Sequence, residues 1–108
     1  MAEISLEARL DMAAWIEVSG DLDGPDSAVL LDIARSADGN PVTIDARHTR
    51  SLSPKGCEAL RYVGDQLADQ GRRLRVVYRP GSPVAEALDS SGTLQHPSLE
   101  FADGGSTV

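Results

Sequence analysis

The chain has too little cysteine, histidine and positive charge for several common kinds of site. Its 108 residues include one cysteine and two histidines, with no ligand pair at the spacing of a metal-binding motif. A single cysteine cannot form an internal disulfide bond, and because no secretory signal is visible we expect a cytoplasmic protein. Ten basic residues against seventeen acidic ones give a net charge of −7, which argues against nonspecific nucleic-acid binding.

Long apolar runs and catalytic motifs are also missing. No apolar run approaches the roughly 20 residues that cross a bilayer, so we expect no membrane insertion. No glycine-rich phosphate loop, nucleophile elbow or metal triad is present. Asp21 and Asp23 could suggest a carboxylate pair, but no His or Lys stands beside them as an acid or base, and helix capping explains Asp23. We therefore expect neither an enzyme nor a protein that needs a cofactor.

What is present is the pattern of one small domain. A chain of 108 residues has room for a single core. Alternation of apolar and polar residues predicts strands over residues 4–10, 14–18, 42–45 and 74–79, with a last edge strand near 99–101. The short gap between the first two strands indicates a hairpin.

Three helices are predicted between the later strands. Asp23 or Gly24 can cap the first, with Pro25 at its first position, and Ser53-Pro54 and Ser82-Pro83 start the other two. The apolar stripe of the first helix is predicted to comprise Val29, Leu30, Ile33 and Ala34. That of the second is predicted to comprise Cys57, Leu60, Val63, Gly64, Leu67 and Ala68.

The predicted element order is β-β-α-β-α-β-α-β. It implies an α/β fold with a mixed sheet of four to five strands and helices mainly on one face. We predict one domain over residues 1–101 and a flexible tail over 102–108, where the sequence is small, polar and rich in glycine. Functional sites of such sheets lie in loops that follow inner strands. We expect residues 46–52 to form such a loop.

The basic residues are concentrated in the middle of the chain. Eight of the ten lie between Arg47 and Arg79, where only three acidic residues accompany them. They are Arg47, Arg50, Lys55, Arg61, Arg72, Arg73, Arg75 and Arg79. A dipolar surface of this kind steers an oppositely charged partner, although solvated helix faces and strand ends explain the same pattern.

Three segments have the order and spacing of known motifs. Gly20-Asp21-Leu22-Asp23 reads Gly-acid-Leu-Asp after a strand, and Val42-Thr43-Ile44-Asp45 is a hydrophobic strand that ends in Asp. A loop then closes on a helix with Gly56 and Leu60. Together, over residues 4–101, these segments resemble the STAS family, the domain of anti-sigma factor antagonists. The resemblance implies a STAS-like fold.

One segment departs from that family's pattern. In members controlled by phosphorylation the helix opens Asp-Ser-Ser-Gly or Asp-Thr-Ser-Gly, whereas this chain reads Ser53-Pro54-Lys55-Gly56. Pro54 stands at the acceptor position and has no hydroxyl, so the usual phosphorylation switch does not carry over. Asp89-Ser90-Ser91-Gly92 spells the motif, but we predict that it ends the third helix.

The resemblance implies a non-catalytic interaction module that binds an anti-sigma factor, often a small kinase-like ATPase, and so regulates sigma-dependent transcription. We expect the partner-binding residues to be Asp21, Asp23, Arg47, His48, Arg50, Ser51, Ser53, Pro54, Lys55 and Gly56. Lys55 in the first turn of a helix is unfavourable with the helix dipole. Drift after loss of regulation explains this residue as well as contact with an acidic partner surface or a bound anion does.

Several alternatives stay open at this stage. Ser53 is a plain helix cap or a displaced phosphoacceptor, and Thr49 and Ser51 are further hydroxyl candidates. Some STAS-like proteins are accessory subunits of a transporter ATPase, and the basic loop would also suit a sensor of a nucleotide or other small ligand. Cys57 fits a core position. Trp15 belongs to the core or a sheet face, where an exposed indole would mark a contact surface.

Overall fold

The computed structural model describes residues 2–7, 14–37 and 39–103, and it confirms the predicted α/β class. Its five strands and three α-helices follow the predicted order. They are β1 (Ala2–Glu7), β2 (Ala14–Leu22), α1 (Ser27–Ser36), β3 (Val42–Leu52), α2 (Pro54–Asp69), β4 (Leu74–Tyr78), α3 (Pro83–Ser90) and β5 (Leu99–Asp103). Short 3-10 helices occupy Gly24–Asp26 and Thr93–Gln95. The predicted hairpin turn lies outside the described residues.

The sheet has the strand order β1-β2-β3-β4-β5. β1 pairs antiparallel with β2, and the pairings from β2 through β5 are parallel. Each parallel step passes through a helix and moves in the same direction across the sheet, so right-handed crossovers put the three helices on one side. α1 contacts α2, and α2 contacts α3. The helices therefore form a single layer.

The core lies between this helix layer and one face of the sheet. Alternate residues of the strands, such as Ile16, Val42 and Ile44, are fully buried there. They meet helix side chains that are buried to the same degree, among them Leu30, Leu60, Leu67 and Leu88. Full burial of one such side chain contributes about 2 kcal/mol. Cys57 belongs to this core, as predicted.

β3 is longer than predicted. Residues 46–52, expected as a polar loop, form its second half. Their sequence lacks apolar alternation, but the pairing with β2 continues through Thr49 and Leu52, with two irregularities in register. The buried hydroxyl of Thr49 donates to the carbonyl oxygen of Val18 at 2.8 Å. Pairing with a distant strand therefore overrides the local polar pattern.

Three smaller expectations also change. Val29 is 52% exposed because the buried side of α1 is centred on Leu30 and Ala34, one turn apart, and Val29 lies about 100° from Leu30. Ala68 is exposed on α2 for the same geometric reason.

β5 continues to Asp103 and pairs there with β4, so residues 102 and 103 are strand rather than tail. Residues 104–108 of the predicted tail lie outside the described residues.

The helix starts follow local sequence. Ser53 caps α2 by accepting a hydrogen bond from the Gly56 N–H at 3.0 Å, and Ser82 caps α3 by accepting one from the Ala85 N–H at 3.1 Å. A proline follows each cap. Gly92, with φ of +76°, follows the end of α3, so the Asp89-Ser90-Ser91-Gly92 motif ends that helix as predicted.

Candidate functional site

The ends of β2 and β3 meet the start of α2 at one edge of the sheet. Leu22 pairs with Leu52, and the Ser53 N–H donates to the Leu22 carbonyl oxygen at 3.1 Å. Residues about 30 positions apart in sequence are thereby brought together. We call this cluster the tip, and it consists of Asp21, Asp23, Arg50, Ser51, Ser53, Pro54, Lys55 and Gly56.

Asp21 is held by two neighbours from β3. Arg50 donates through Nε to Oδ1 at 3.1 Å and through Nη2 to Oδ2 at 2.5 Å. The Ser51 hydroxyl donates to Oδ1 at 2.6 Å. These hydrogen bonds, that of Arg50 first, hold the pKa of Asp21 well below its usual range. Because the Arg50 side chain is 75% exposed, solvent screening limits what the pair contributes to folding stability, and the pair also orients both charges.

The Ser53 hydroxyl has two roles at once. Besides accepting from the Gly56 N–H, it donates to Asp23 Oδ1 at 2.5 Å. Asp23 Oδ1 also accepts from the Gly24 N–H at 2.7 Å. The Ser53 hydroxyl and then the Gly24 N–H lower the pKa of Asp23. A phosphate on Ser53 would therefore lie beside a charged carboxylate.

The other hydroxyl candidates are also engaged. The Thr49 side chain is buried, so its hydroxyl is not accessible to a modifying enzyme. The Ser51 hydroxyl is committed to Asp21. The three hydroxyl groups are thus parts of the hydrogen-bonded frame that joins β2 to β3 and α2.

Pro54 and Lys55 are exposed, whereas the next residue, Gly56, is buried. A Cβ atom on Gly56 would lie 2.5 Å from the Leu22 carbonyl oxygen and 2.8 Å from Leu52 Cδ1. Glycine is thus what allows the first turn of α2 to rest on the ends of the two strands. At the start of α2, Gly56 is therefore buried against the strands, while Pro54 and Lys55 are exposed.

An open groove runs beside Lys55, between the Gly24–Asp26 turn and α2. Its lining residues are Asp23, Gly24, Pro25, Lys55, Glu58, Ala59 and Tyr62. The Tyr62 side chain is 53% exposed. Sequence reasoning missed Glu58 and Tyr62, although their spacing of three and seven residues from Lys55 places all three on one helix face.

Arg47 lies apart from the tip. Its guanidinium donates to the Asp45 carboxylate at 2.9 and 2.8 Å, and its carbon Cζ lies 6.0 Å from the centroid of the Trp15 ring. Burial raises the pKa of Asp45, but hydrogen bonds from the Arg47 side chain and backbone together outweigh this and leave that pKa low. Arg47 thus belongs to the sheet face opposite the helices. His48, the next residue, is exposed.

Folding pairs four of the eight basic side chains of the basic stretch with acids. Arg47 and Arg50 pair with Asp45 and Asp21, and Arg73 and Arg75 both pair with Glu100. Arg61 donates to the Thr93 hydroxyl at 2.8 Å, and Arg72 donates to backbone carbonyls of Ala37 and Gly39. The three acidic partners come from outside the basic stretch, so folding cancels much of the asymmetry seen in the sequence.

Comparison with protein-family models and with curated proteins found no match to this chain. Within the described ranges, no helix combines the length and apolar character needed to span a bilayer. The same part of the chain holds no group of three His, Cys, Asp or Glu side chains arranged to bind a metal ion. The geometry of the tip is therefore the main structural guide to function.

Proposed function

We propose that the chain is a STAS-like, non-catalytic interaction module that acts in the cytoplasm. It binds an anti-sigma factor of the kinase-like ATPase type through the tip and so regulates sigma-dependent transcription. The observation that carries this proposal is the exposure of Pro54 and Lys55 at the start of α2, beside the carboxylates of Asp21 and Asp23. The resemblance assigns the regulatory position of the family to Pro54.

Binding by this module is not switched by phosphorylation at that position. Pro54 offers no hydroxyl, and the neighbouring Ser53 hydroxyl is engaged with Asp23 and the Gly56 N–H. A phosphate carries nearly two negative charges. On Ser53 it would displace the helix cap and repel Asp23, so the tip keeps one chemical state.

Lys55 is the residue on which partner choice depends most. As a cation in the first turn it opposes the helix dipole, a cost that an acidic group on the partner offsets. The groove beside it adds an apolar surface from Pro25, Ala59 and Tyr62. This combination favours a partner segment that carries a carboxylate next to an apolar side chain.

Affinity capture with the full chain, from extracts of its source organism, tests the proposal. We expect an anti-sigma factor to be recovered in equal amount with and without ATP, because the tip has no modifiable switch. Lys55→Glu should lower recovery at least about tenfold, as expected for a charge reversal at a binding site. Arg35→Glu, the same charge change on the exposed last turn of α1, is the matched control and should leave recovery unchanged.

Three results would count against the proposal. One is loss of binding on addition of ATP together with phosphate on Ser53. Another is recovery of a transporter ATPase from membranes in place of an anti-sigma factor, which would identify an accessory subunit. The last is thermal stabilisation by nucleotides that is abolished by alanine substitution of Arg50 and Lys55, which would identify a ligand sensor.

A further inference from the structure

Glu58 and Tyr62 are neighbours on the wall that α2 contributes to the groove beside Lys55. Four residues separate them, so they lie about 6 Å apart along the helix axis and about 40° apart around it. Side chains at this spacing are adjacent on a helix surface. Both residues are exposed. A carboxylate and an aromatic ring are therefore available side by side in the groove.

The Lys55 side chain follows the opposite wall of the groove. A Cβ atom on Gly24 would lie 3.2 Å from Lys55 Cβ and 3.8 Å from Lys55 Cδ, so the aliphatic stem of the lysine runs along Gly24. After the Ser53 hydroxyl and the Gly24 N–H, the charge of Lys55 also contributes to the lowered pKa of Asp23. Among the described residues, no cation lies within ion-pair distance of Glu58.

The carboxylate of Glu58 limits what can bind at this end of the groove. An apolar side chain placed on Tyr62 would displace water from Glu58 and give the carboxylate no new hydrogen bond. An acidic side chain would be repelled by it. A guanidinium satisfies both neighbours, because it donates two parallel hydrogen bonds to a carboxylate and its flat face stacks on an aromatic ring. An ammonium group offers only a point charge, so an arginine suits this end better than a lysine does.

We propose that Glu58 and Tyr62 bind an arginine of the same partner segment whose carboxylate meets Lys55. This inference rests on the function proposed for the tip and adds a second determinant of partner choice. Along the axis of α2, Glu58 lies about 4.5 Å and Tyr62 about 10.5 Å beyond Lys55. The partner segment therefore carries an acidic group and, roughly 5 to 10 Å further along the groove, an arginine. The order of the two charges, rather than the net charge, selects the partner.

Calorimetric titration of the full chain with the anti-sigma factor recovered by affinity capture tests this proposal. Glu58→Lys should weaken binding at least about tenfold, and Glu58→Gln should weaken it severalfold. Tyr62→Leu should also cause a severalfold loss, whereas Tyr62→Phe keeps the ring and should bind within about twofold of the original. Glu86→Lys, the same charge change at an exposed position in the first turn of α3, is the matched control and should leave binding unchanged.

The double variant Lys55→Glu/Glu58→Lys separates charge order from net charge. It keeps the net charge of the chain and reverses the two signs along the groove. We expect it to bind at least about tenfold more weakly than the original.

A double-mutant cycle identifies the arginine. Alanine substitution of each exposed arginine of the anti-sigma factor should reveal one whose loss weakens binding to the original chain severalfold. The same substitution should have much less effect on binding to Glu58→Gln, because the contact is already broken there.

The outcomes distinguish this inference from the function on which it rests. An anti-sigma factor whose binding depends on Lys55 but not on Glu58 or Tyr62 would overturn the inference and leave the proposed function standing. Unchanged binding by the charge-swapped double variant would overturn it too, because net charge would then explain the selection. So would the absence of any arginine that couples to Glu58. If no anti-sigma factor is recovered, the function and the inference fail together.

Discussion

At the scale of the single residue, Gly56 decides whether α2 can rest on the strands. Its N–H binds the Ser53 cap, and its missing side chain leaves room for the Leu22 carbonyl oxygen. In most helices alanine is more favourable than glycine by about 1 kcal/mol. Here the close approach of backbone to backbone reverses that preference, because a carbonyl oxygen of a paired strand cannot move aside.

We predict that Gly56→Ala destabilises the protein by about 2 kcal/mol or more, since overpacking against fixed atoms costs this much. Urea denaturation measures the change. The matched control is Gly24→Ala, whose new Cβ would lie 3.2 Å from Lys55 Cβ, a contact that a shift of a few tenths of an ångström relieves. That variant should differ from the original by much less. Equal effects of the two substitutions would show that the contact with Leu22 does not control stability.

The carboxylates of the tip predict how stability changes with pH. The pKa values of Asp21 and Asp23 are lower in the folded protein than in the unfolded chain, where Asp has a pKa of about 3.9. Their stabilisation is therefore present above about pH 4 and is lost as the pH falls through the folded values. We predict that Asp21→Asn reduces the loss of stability between neutral pH and pH of about 3, measured by urea denaturation at each pH.

Asp89→Asn is the control for this pH series, because it removes an exposed carboxylate at the end of α3 with the same change in net charge. Its pH dependence should match that of the original chain. An unchanged pH dependence in Asp21→Asn would contradict the role given to Arg50 and Ser51.

Residues at the tip differ in how far the sequence predicts them. The cap at Ser53 could be predicted because it depends on a serine, a proline and an N–H three residues later. The bond from Ser53 to Asp23 joins positions 30 residues apart, and it forms only once β2 and β3 pair. The same holds for Arg50 with Asp21. The resemblance singled out these residues, but the contacts among them required the strand register.

At the scale of the element, the Arg72 side chain joins two connections that lie far apart in sequence. It follows α2, and its guanidinium donates to the Gly39 carbonyl oxygen at 3.1 and 2.9 Å and to that of Ala37 at 2.5 Å. These carbonyls lie between α1 and β3. One arginine therefore ties the end of the first helical crossover to the end of the second.

We predict that Arg72→Ala lowers the free energy of unfolding by about 2 kcal/mol, because partly buried carbonyls lose a charged donor. The free energy of unfolding of Arg72→Lys should fall between those of the original chain and Arg72→Ala, since one ammonium group cannot span both acceptors. The neighbouring Arg73→Ala is the control. It removes an exposed pair with Glu100 and should cost at most about 1 kcal/mol. Thermal and urea denaturation of the set measure these differences.

Strand and helix order was predictable because apolar periodicity and Ser-Pro starts are local signals. The length of β3 was not, since residues 46–52 read as polar and extend the strand only through their pairing with β2. The exposed position of Val29 had a similar origin. The same apolar pattern fits a buried side centred one residue earlier or later on the helix, and packing against the sheet selects which side is buried.

At the scale of the whole molecule, folding redistributes the charges. Four arginines of the basic stretch pair with Asp21, Asp45 and Glu100, and these acids come from other parts of the chain. The sequence indicates a dipolar protein, whereas the structure interleaves the two signs. The net charge of −7 then governs long-range interactions.

We predict that the protein is not retained by a polyanion such as heparin at about 0.15 M salt, because its paired arginines cannot release counterions from a polyanion. Retention on a heparin column as a function of salt is the measurement. Asp21→Asn, which frees Arg50, should show only a small delay. Elution of the original protein above roughly 0.3 M salt would show that a basic surface persists after folding.

α2 and α3 each begin with a serine that caps the helix and a proline that follows it. These rigid helix starts affect how quickly another molecule binds at the edge of the sheet where they lie. A proline ring holds the backbone angle φ at about −65° before a partner arrives, and the Ser53 and Ser82 hydroxyls fix the first turns by accepting from the N–H groups of Gly56 and Ala85. Little internal freedom is then left to lose when a second molecule arrives. Such a surface is preorganised, so the conformational changes that accompany binding occur in the partner.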